Sequence, residues 1–311
     1  MGRYLGKRLL ISVITLLVIL LILFLLLQFM PGSPFNDQKL TEEQVALLNQ
    51  KYGLDQPVIV RFFHYIWNML RGDMGVSYAI SVDTPITKLI ATRFPVTLEI
   101  GLVSMIIGTI LGILLGLLAA FFKNKILRFF YHFLTLIGIA VPSYLMAIFF
   151  SYFLGFKADF LPLLYDFRSP FISSFLPVMS LSFVVMAVIA RFTRAEAEEV
   201  MKSDYVLLAC CQGLGYRTIL IRYILRNSLV PVVTVMAGLL VGLLTGSLVI
   251  EQMFSIPGIG GLLTQAISSN DYNVVLALCF IYSALFIVVR LILDVVYCVI
   301  DPRVRLGKHA S

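Results

Sequence analysis

Apolar residues fall into six long runs, 9–30, 95–122, 129–156, 171–190, 229–250 and 274–300, set apart by polar connections. Each run holds about 20 residues or more, which at 1.5 Å per residue lets a helix cross about 30 Å of hydrocarbon. The pattern predicts an all-α polytopic membrane protein with six transmembrane helices. The first run has a basic start like a signal peptide, but its length and the lack of a small-x-small cleavage pattern predict a retained helix.

Segment 31–94 interrupts this rhythm with its own helix signals. A Thr41/Gln44 capping box opens one helix that should stop at Gly53; Pro57 opens a second that should stop at Gly72; Pro85 opens a third. In the second, Ile59, Phe62, Phe63, Ile66, Met69 and Leu70 recur at helical spacing. That helix is therefore amphipathic, and is expected on the outer membrane surface or against the outer ends of the spans. The predicted organisation is an end and first span over 1–30, an extracytoplasmic helical insertion over 31–94, and a core of five spans over 95–311 with a long loop at 191–229.

Charge fixes the orientation. The chain is 60% hydrophobic and 13% charged, with a formal net charge of +7. The positive residues cluster at alternate connections: Arg3, Lys7 and Arg8; Lys123, Lys125 and Arg128; six between Arg191 and Arg226; and Arg303, Arg305 and Lys308. The connections on the other side hold only Lys157 and Arg168 before the fourth run and no basic residue between the fifth and sixth. By the positive-inside rule both termini are cytoplasmic, and nucleic acid is not needed to explain the charge.

Enzymatic chemistry is not visible. There is no G-x-x-x-x-G-K-[ST] phosphate loop, no H-E-x-x-H and no G-x-S-x-G, and His64, His132 and His309 are scattered. No catalytic residue, metal site or cofactor site is expected on this chain. Cys210 and Cys211 point about 100° apart on a helix, so they cannot share one ion and read as small apolar packing residues. The glycines of "PGIGGLLTQ" at 257–265 read as a turn.

Two glycine ladders stand out within the runs: Gly108, Gly112 and Gly116, and Gly238, Gly242 and Gly246. Such a stripe lets a second helix approach closely, so it serves packing or a pathway seam. Arg290 and Asp294, four apart on the last run, can neutralise each other within hydrocarbon. Glu99 and Glu251 lie near outer helix ends, where water is expected to reach them.

The loop at 191–229 carries the sharpest signal. The fourth span continues as a stalk, "ARFTRAEAEEVMKSDY", with Glu198 and Lys202 spaced as an i,i+4 pair. Ser203 or Asp204 resembles an N-cap, 205–212 gives about two turns, and Gly213 or Gly215 supplies a left-handed stop. Arg217, Arg222 and Arg226 then line a basic return helix to Pro231. A short apolar helix held in the cytoplasm has to be covered, and the groove of a partner protein would do it.

"SDYVLLACCQGLGYRTILIRYILRNSLVPVVTV" resembles the cytoplasmic loop of bacterial peptide-type ABC transporter permeases. "MPGSPF", "KYGLDQPVIVRFFHYIWNMLRGDMGVSY", "FPVTLEIGL", "TGSLVIEQMFSIPGIGGLL" and "DVVYCVIDPRVR" extend the resemblance over nearly the whole chain, most closely to the B-type permease of oligopeptide uptake systems. The resemblance implies a type I ABC importer permease fold in the bacterial cytoplasmic membrane. It implies as partners a second homologous permease, two ATPase subunits carrying ATP and Mg2+, and an extracytoplasmic peptide-binding protein. It implies that Asp204, Tyr205, Leu207, Leu208, Ala209, Cys210, Cys211, Gln212 and Gly213 form the ATPase-coupling helix, supported by Arg217, Arg222, Arg226 and Asn227. The family usually reads Ala-Arg-Ala-Lys-Gly where this chain has Ala-Cys-Cys-Gln-Gly at 209–213, so the contact is expected to be more apolar. Dipeptide, glutathione or nickel uptake are the alternatives on the same scaffold. A secondary transporter, from a different class, would need coupling-ion ligands beyond Arg290 and Asp294.

Overall fold

The computed structural model describes the backbone of residues 2–28, 42–51, 55–244 and 248–300, and the described side chains end at Ile292. The described residues are helical apart from connections and one isolated bridge between Val76 and Pro85. Four helices are long and apolar enough to cross a membrane, and two bent pairs bring the total to six if each pair is one span. The chain forms two compact units, Met1–Val96 with Pro257–Leu291, and Thr97–Ile256 with Ile292–Ser311.

In the first unit, α1 (Gly2–Gln28) presents leucines and isoleucines outward over most of its length. α2 (Glu42–Lys51) follows; Thr41 and Gly53, expected as its bounds, lie outside the described residues. α3 (Val58–Leu70) starts directly after Pro57, which lacks the N–H that a first turn would leave unpaired. It ends where Gly72, at φ +82°, takes the left-handed conformation that suits glycine. The core of this unit gathers Phe24 and Leu27 of α1, Ile86 and Ile90 at the start of α4 (Ile86–Ala120), and Ile259, Leu262 and residues 274–278.

One local expectation fails here. The segment at 257–265 is not a turn: from Ile259 it is helix, α13 (Ile259–Ser268). Ile259, Leu262 and Ala266 are fully buried along one face, and that burial outweighs the roughly 1 kcal/mol each that Gly260 and Gly261 cost a helix. The helix opened at Pro85 continues into the second span without a break. α4 runs through Pro95, because Ile86, Ile90 and Phe94, one turn apart, pack into the core just before the proline. The last helix, α14 (Tyr272–Ile300), follows α13 directly.

In the second unit, the run expected as one span at 129–156 is two helices, α5 (Lys125–Ala140) and α6 (Ser143–Phe150), bent by 111°. Pro142 explains the break: it offers no N–H and pushes Val141 into an extended conformation, φ −89° and ψ 123°. α6 continues as a π-helical segment, Ser151–Lys157. After α7 (Pro170–Ser173), the fourth span α8 (Phe175–Val200) forms the centre of the unit, with α5, α6 and the later α11 (Arg226–Leu244) packed on it.

α4 and α8 meet backbone to backbone. A Cβ placed on Gly108 would stand 2.6 Å from Val185 Cβ and 2.7 Å from the Ser182 carbonyl oxygen. One on Gly112 would meet Ile189 Cβ at 2.7 Å, and one on Gly116 the Ala190 carbonyl oxygen at 2.6 Å. At each of these three positions even a methyl group would overlap α8 unless the seam shifted.

Candidate functional site

The loop after the fourth span folds into a separate helix, α9 (Asp204–Cys211). α8 ends at Val200, and Ser203 takes extended angles as the N-cap residue while its hydroxyl donates back to the Val200 carbonyl at 2.6 Å. At the other end Gly213, at φ +71°, reverses the chain, and Leu214 N–H donates to Ala209 O at 3.3 Å while Gly213 N–H donates to Cys210 O at 3.0 Å. These bonds close the helix in a left-handed glycine stop. Gly215 is not left-handed, so Gly213 alone supplies the reversal.

α9 has two apolar faces with different fates. Val206 and Ala209 are buried against Ala197 of the stalk and Ile219 and Ile224 of the return helix, with Phe121, Met201 and Leu214 closing the cluster. Leu207 and Leu208 are 64% and 58% exposed, and Tyr205, Cys210, Cys211 and Gln212 are exposed beside them. The inward face fixes the helix to its stalk. The outward face is an apolar surface whose only described charge is Asp204 at the N-terminal end, where the helix dipole favours a carboxylate.

The stalk is braced. Arg194 Nε pairs with Glu198 Oε1 at 2.7 Å, its Nη1 donates to His132 Nε2 at 3.0 Å, and its guanidinium lies 4.8 Å from the centre of the Tyr131 ring. Tyr131 in turn donates its hydroxyl to Ala190 O at 3.0 Å. Three of these contacts, Arg194 to His132, Arg194 to Tyr131 and Tyr131 to Ala190, tie α8 to α5 at the level where the stalk begins. Glu198 pairs one turn back with Arg194 rather than forward with Lys202, since the helix ends at Val200 and the forward i,i+4 geometry is lost. The return helix runs through α10 (Tyr216–Thr218) and a π-helical segment, Ile219–Leu225, into α11. Arg217, Arg222 and Arg226 are exposed along it, and Asn227 donates to Tyr223 O at 2.7 Å.

The other predicted residues lie apart from this site. Gly108, Gly112 and Gly116 face α8, whereas a Cβ on Gly238 or Gly242 of α11 would meet nothing within 4 Å. Gly246 lies outside the described residues. Arg290 is exposed on α14; Asp294 is on the same helix, but its side chain lies outside the described residues. Among the described residues, no group of three or more His, Cys, Asp or Glu residues could hold a metal ion.

Two buried carboxylates escaped the sequence reading. Glu251, expected to meet water, is only 4% exposed on α12 (Leu248–Met253) and accepts a hydrogen bond from Thr97 Oγ1 at 2.7 Å; Glu99 is exposed, as expected. In the first unit, Asp271 is fully buried at the start of α14. Its Oδ2 accepts from Ser77 Oγ at 2.5 Å and from the N–H groups of Tyr78, Ala79 and Ile80 at 3.0, 3.0 and 3.2 Å. Asn273 adds a bond to Val76 O at 3.2 Å, so the turn after α3 is hooked onto the head of the last helix. On α3 the Tyr65 hydroxyl is enclosed too, and burial first, then Cys279 and Tyr78, push its pKa up. An aspartate directly before a long apolar run is a recognisable helix-start signal; its grip on a turn far back in the chain has no local signal.

Comparison with known proteins places the whole chain. Residues 112–306 match the family described as binding-protein-dependent transport system inner membrane component, and residues 1–101 match its N-terminal region. The dipeptide transport system permease protein DppB of Lactococcus lactis subsp. cremoris is 39% identical over 306 residues, covering 98% of this chain and 100% of the relative. The oligopeptide transport system permease protein OppB of Haemophilus influenzae is 33% identical over 310 residues, with 98% and 100% covered. The glutathione transport system permease protein GsiC of Salmonella typhimurium is 34% identical over 310 residues, with 98% and 99% covered.

Proposed function

Since the chain belongs to the family of inner membrane components of binding-protein-dependent transport systems, a multi-pass ABC permease family, we propose that it is the translocation subunit of an ATP-driven peptide importer. A second homologous permease completes the pathway, two ATPase subunits bind ATP and Mg2+, and an extracytoplasmic binding protein delivers the peptide. The chain itself hydrolyses nothing. ATP is consumed on the partners, and the chain's part is to convert their closure into a change of access.

The observation that carries this reading is α9: a capped helix with Leu207 and Leu208 turned outward, fixed to a braced stalk through Val206 and Ala209. Such a helix moves with its stalk as one body, so displacement of its outer face by an ATPase groove reaches α8 and the spans packed on it. With cysteines at 210 and 211 and glutamine at 212, that face offers apolar contact rather than an ion pair. The names of the relatives support peptides as the substrate class. They support dipeptides as well as oligopeptides, so the oligopeptide preference read from the motifs is one of two equal readings within that class.

The test is reconstitution with the partner subunits in liposomes, measuring peptide uptake and peptide-stimulated ATP hydrolysis. Leu208→Glu is expected to abolish uptake and uncouple hydrolysis while the chain still inserts and assembles with the second permease. Normal uptake by that variant would remove α9 from the coupling path. Comparing labelled dipeptides with longer peptides in the same liposomes decides between the two substrate readings.

A further inference from the structure

α3 has three faces rather than two. At 3.6 residues per turn, Val58, Phe62, Tyr65 and Met69 share one face, which packs inward: Phe62 meets Phe24 of α1 edge to face at 5.5 Å, and Met69 is buried. Arg71, His64 and Asn68 are exposed in a narrow polar sector. Between these lies a third sector about 100° wide, formed by Ile59, Leu70, Phe63, Trp67 and Val60, which are 42–76% exposed. An amphipathic helix packed on its own protein needs one apolar face; this one has a second, open to the outside.

The depth of α3 on α1 says what covers that face. The apolar run that holds α1 ends at Met30 in the sequence, and α3 packs on Phe24, six residues before that end. The neighbouring surface of α1, with Leu21, Leu25 and Leu26 exposed, is apolar, as the lipid-facing side of a membrane span is. The open sector of α3 continues that surface at the depth of the headgroup and upper acyl boundary, where amphipathic helices insert. Trp67 stands at the edge of the sector beside the polar face, with the Arg71 guanidinium 4.8 Å from its ring centre. A tryptophan at the water boundary, with a cation on its face and in reach of phosphate, suits an interfacial helix.

We infer that α3 is an interfacial helix whose Ile59, Phe63, Trp67 and Leu70 face is inserted in the outer leaflet, anchoring the extracytoplasmic segment to the bilayer. The occupant is lipid, not the second permease or the binding protein. Arg71 meets headgroup phosphate at its edge.

Trp67 is the only tryptophan in the chain, so it reports its own surroundings. The purified full chain is reconstituted in phosphatidylcholine brominated either near the headgroup or near the acyl chain end, and emission is compared with unbrominated liposomes. In the assembled importer the same signal is the difference between the unaltered complex and one carrying Trp67→Phe. Blue-shifted emission, quenched most by bromine near the headgroup and little by aqueous iodide, is expected in both. Phe63→Glu is expected to reduce the bromolipid quenching, and His64→Glu, on the polar sector, to leave it unchanged. Strong iodide quenching, quenching mainly by bromine at the chain end, or quenching by neither probe because protein covers the ring would each overturn the proposal.

Discussion

The two glycine ladders have the same four-residue spacing and opposite surroundings. On α4, Gly108, Gly112 and Gly116 lie so close to α8 that a methyl group would overlap Val185, Ile189 or the carbonyls of Ser182 and Ala190. On α11, Gly238 and Gly242 have open space where a methyl group would go, and Thr234 is exposed on the same face. The first ladder is an internal joint, closed by the chain itself. At the second, nothing among the described residues lies within 4 Å of where a methyl group would stand on Gly238 or Gly242. Spacing alone announces a smooth strip; what lies against it is decided by the packing of the other helices.

The contrast can be broken by substitution. Gly112→Leu is expected to have the largest effect, since its side chain has no room beside Ile189 and the Met186 carbonyl; overpacking at backbone contact costs upwards of about 3 kcal/mol. Loss of the folded species in size-exclusion chromatography of the detergent-solubilised chain checks it. Gly108→Ala comes next, with an expected loss of about 1–3 kcal/mol, read as a lower thermal midpoint. An unchanged midpoint would mean that the α4–α8 seam yields easily, and the contrast between the ladders would disappear.

Gly238→Ala should have the smallest effect and the opposite sign. With nothing near its Cβ it gains helix propensity, up to about 1 kcal/mol, so the isolated chain should melt at the same temperature or slightly higher. A fall like that of Gly108→Ala would show the second ladder closed as well. Thermal unfolding of the three variants side by side in one detergent gives the ordering directly. Leu208→Glu serves as a fourth arm: its exposed position predicts an unchanged midpoint despite the loss of transport.

Much of this was legible in the chain because the bilayer permits few solutions. The proline starts of α3 and α4 and the glycine stops at Gly72 and Gly213 are local signals that the structure follows, as it follows the apolar runs except where 129–156 breaks at Pro142. The apolar character of α9 was legible too, since the stretch between Asp204 and Gln212, Tyr-Val-Leu-Leu-Ala-Cys-Cys, carries no charge. Three features depended on distant partners. α13 is helical because Leu262 and Ala266 find a core to enter, and α4 continues through Pro95 because Phe94 does. Glu251 is buried because Thr97, more than 150 residues earlier, supplies a donor. Proline in a greasy run has two meanings, and only packing separates them: Pro142 turns the chain by 111°, while Pro95 is carried inside a helix.

The hook at Asp271 sets an order of events during synthesis. Its partner, Ser77, lies 194 residues earlier, so the extracytoplasmic turn leaves the ribosome long before the carboxylate that will hold it. At about 5–20 residues per second that interval is about 10–40 s, during which the turn has been delivered across the membrane without its anchor. The final span therefore acts as a fastening made last, and a chain that stops short of it leaves the turn at 77–80 unhooked.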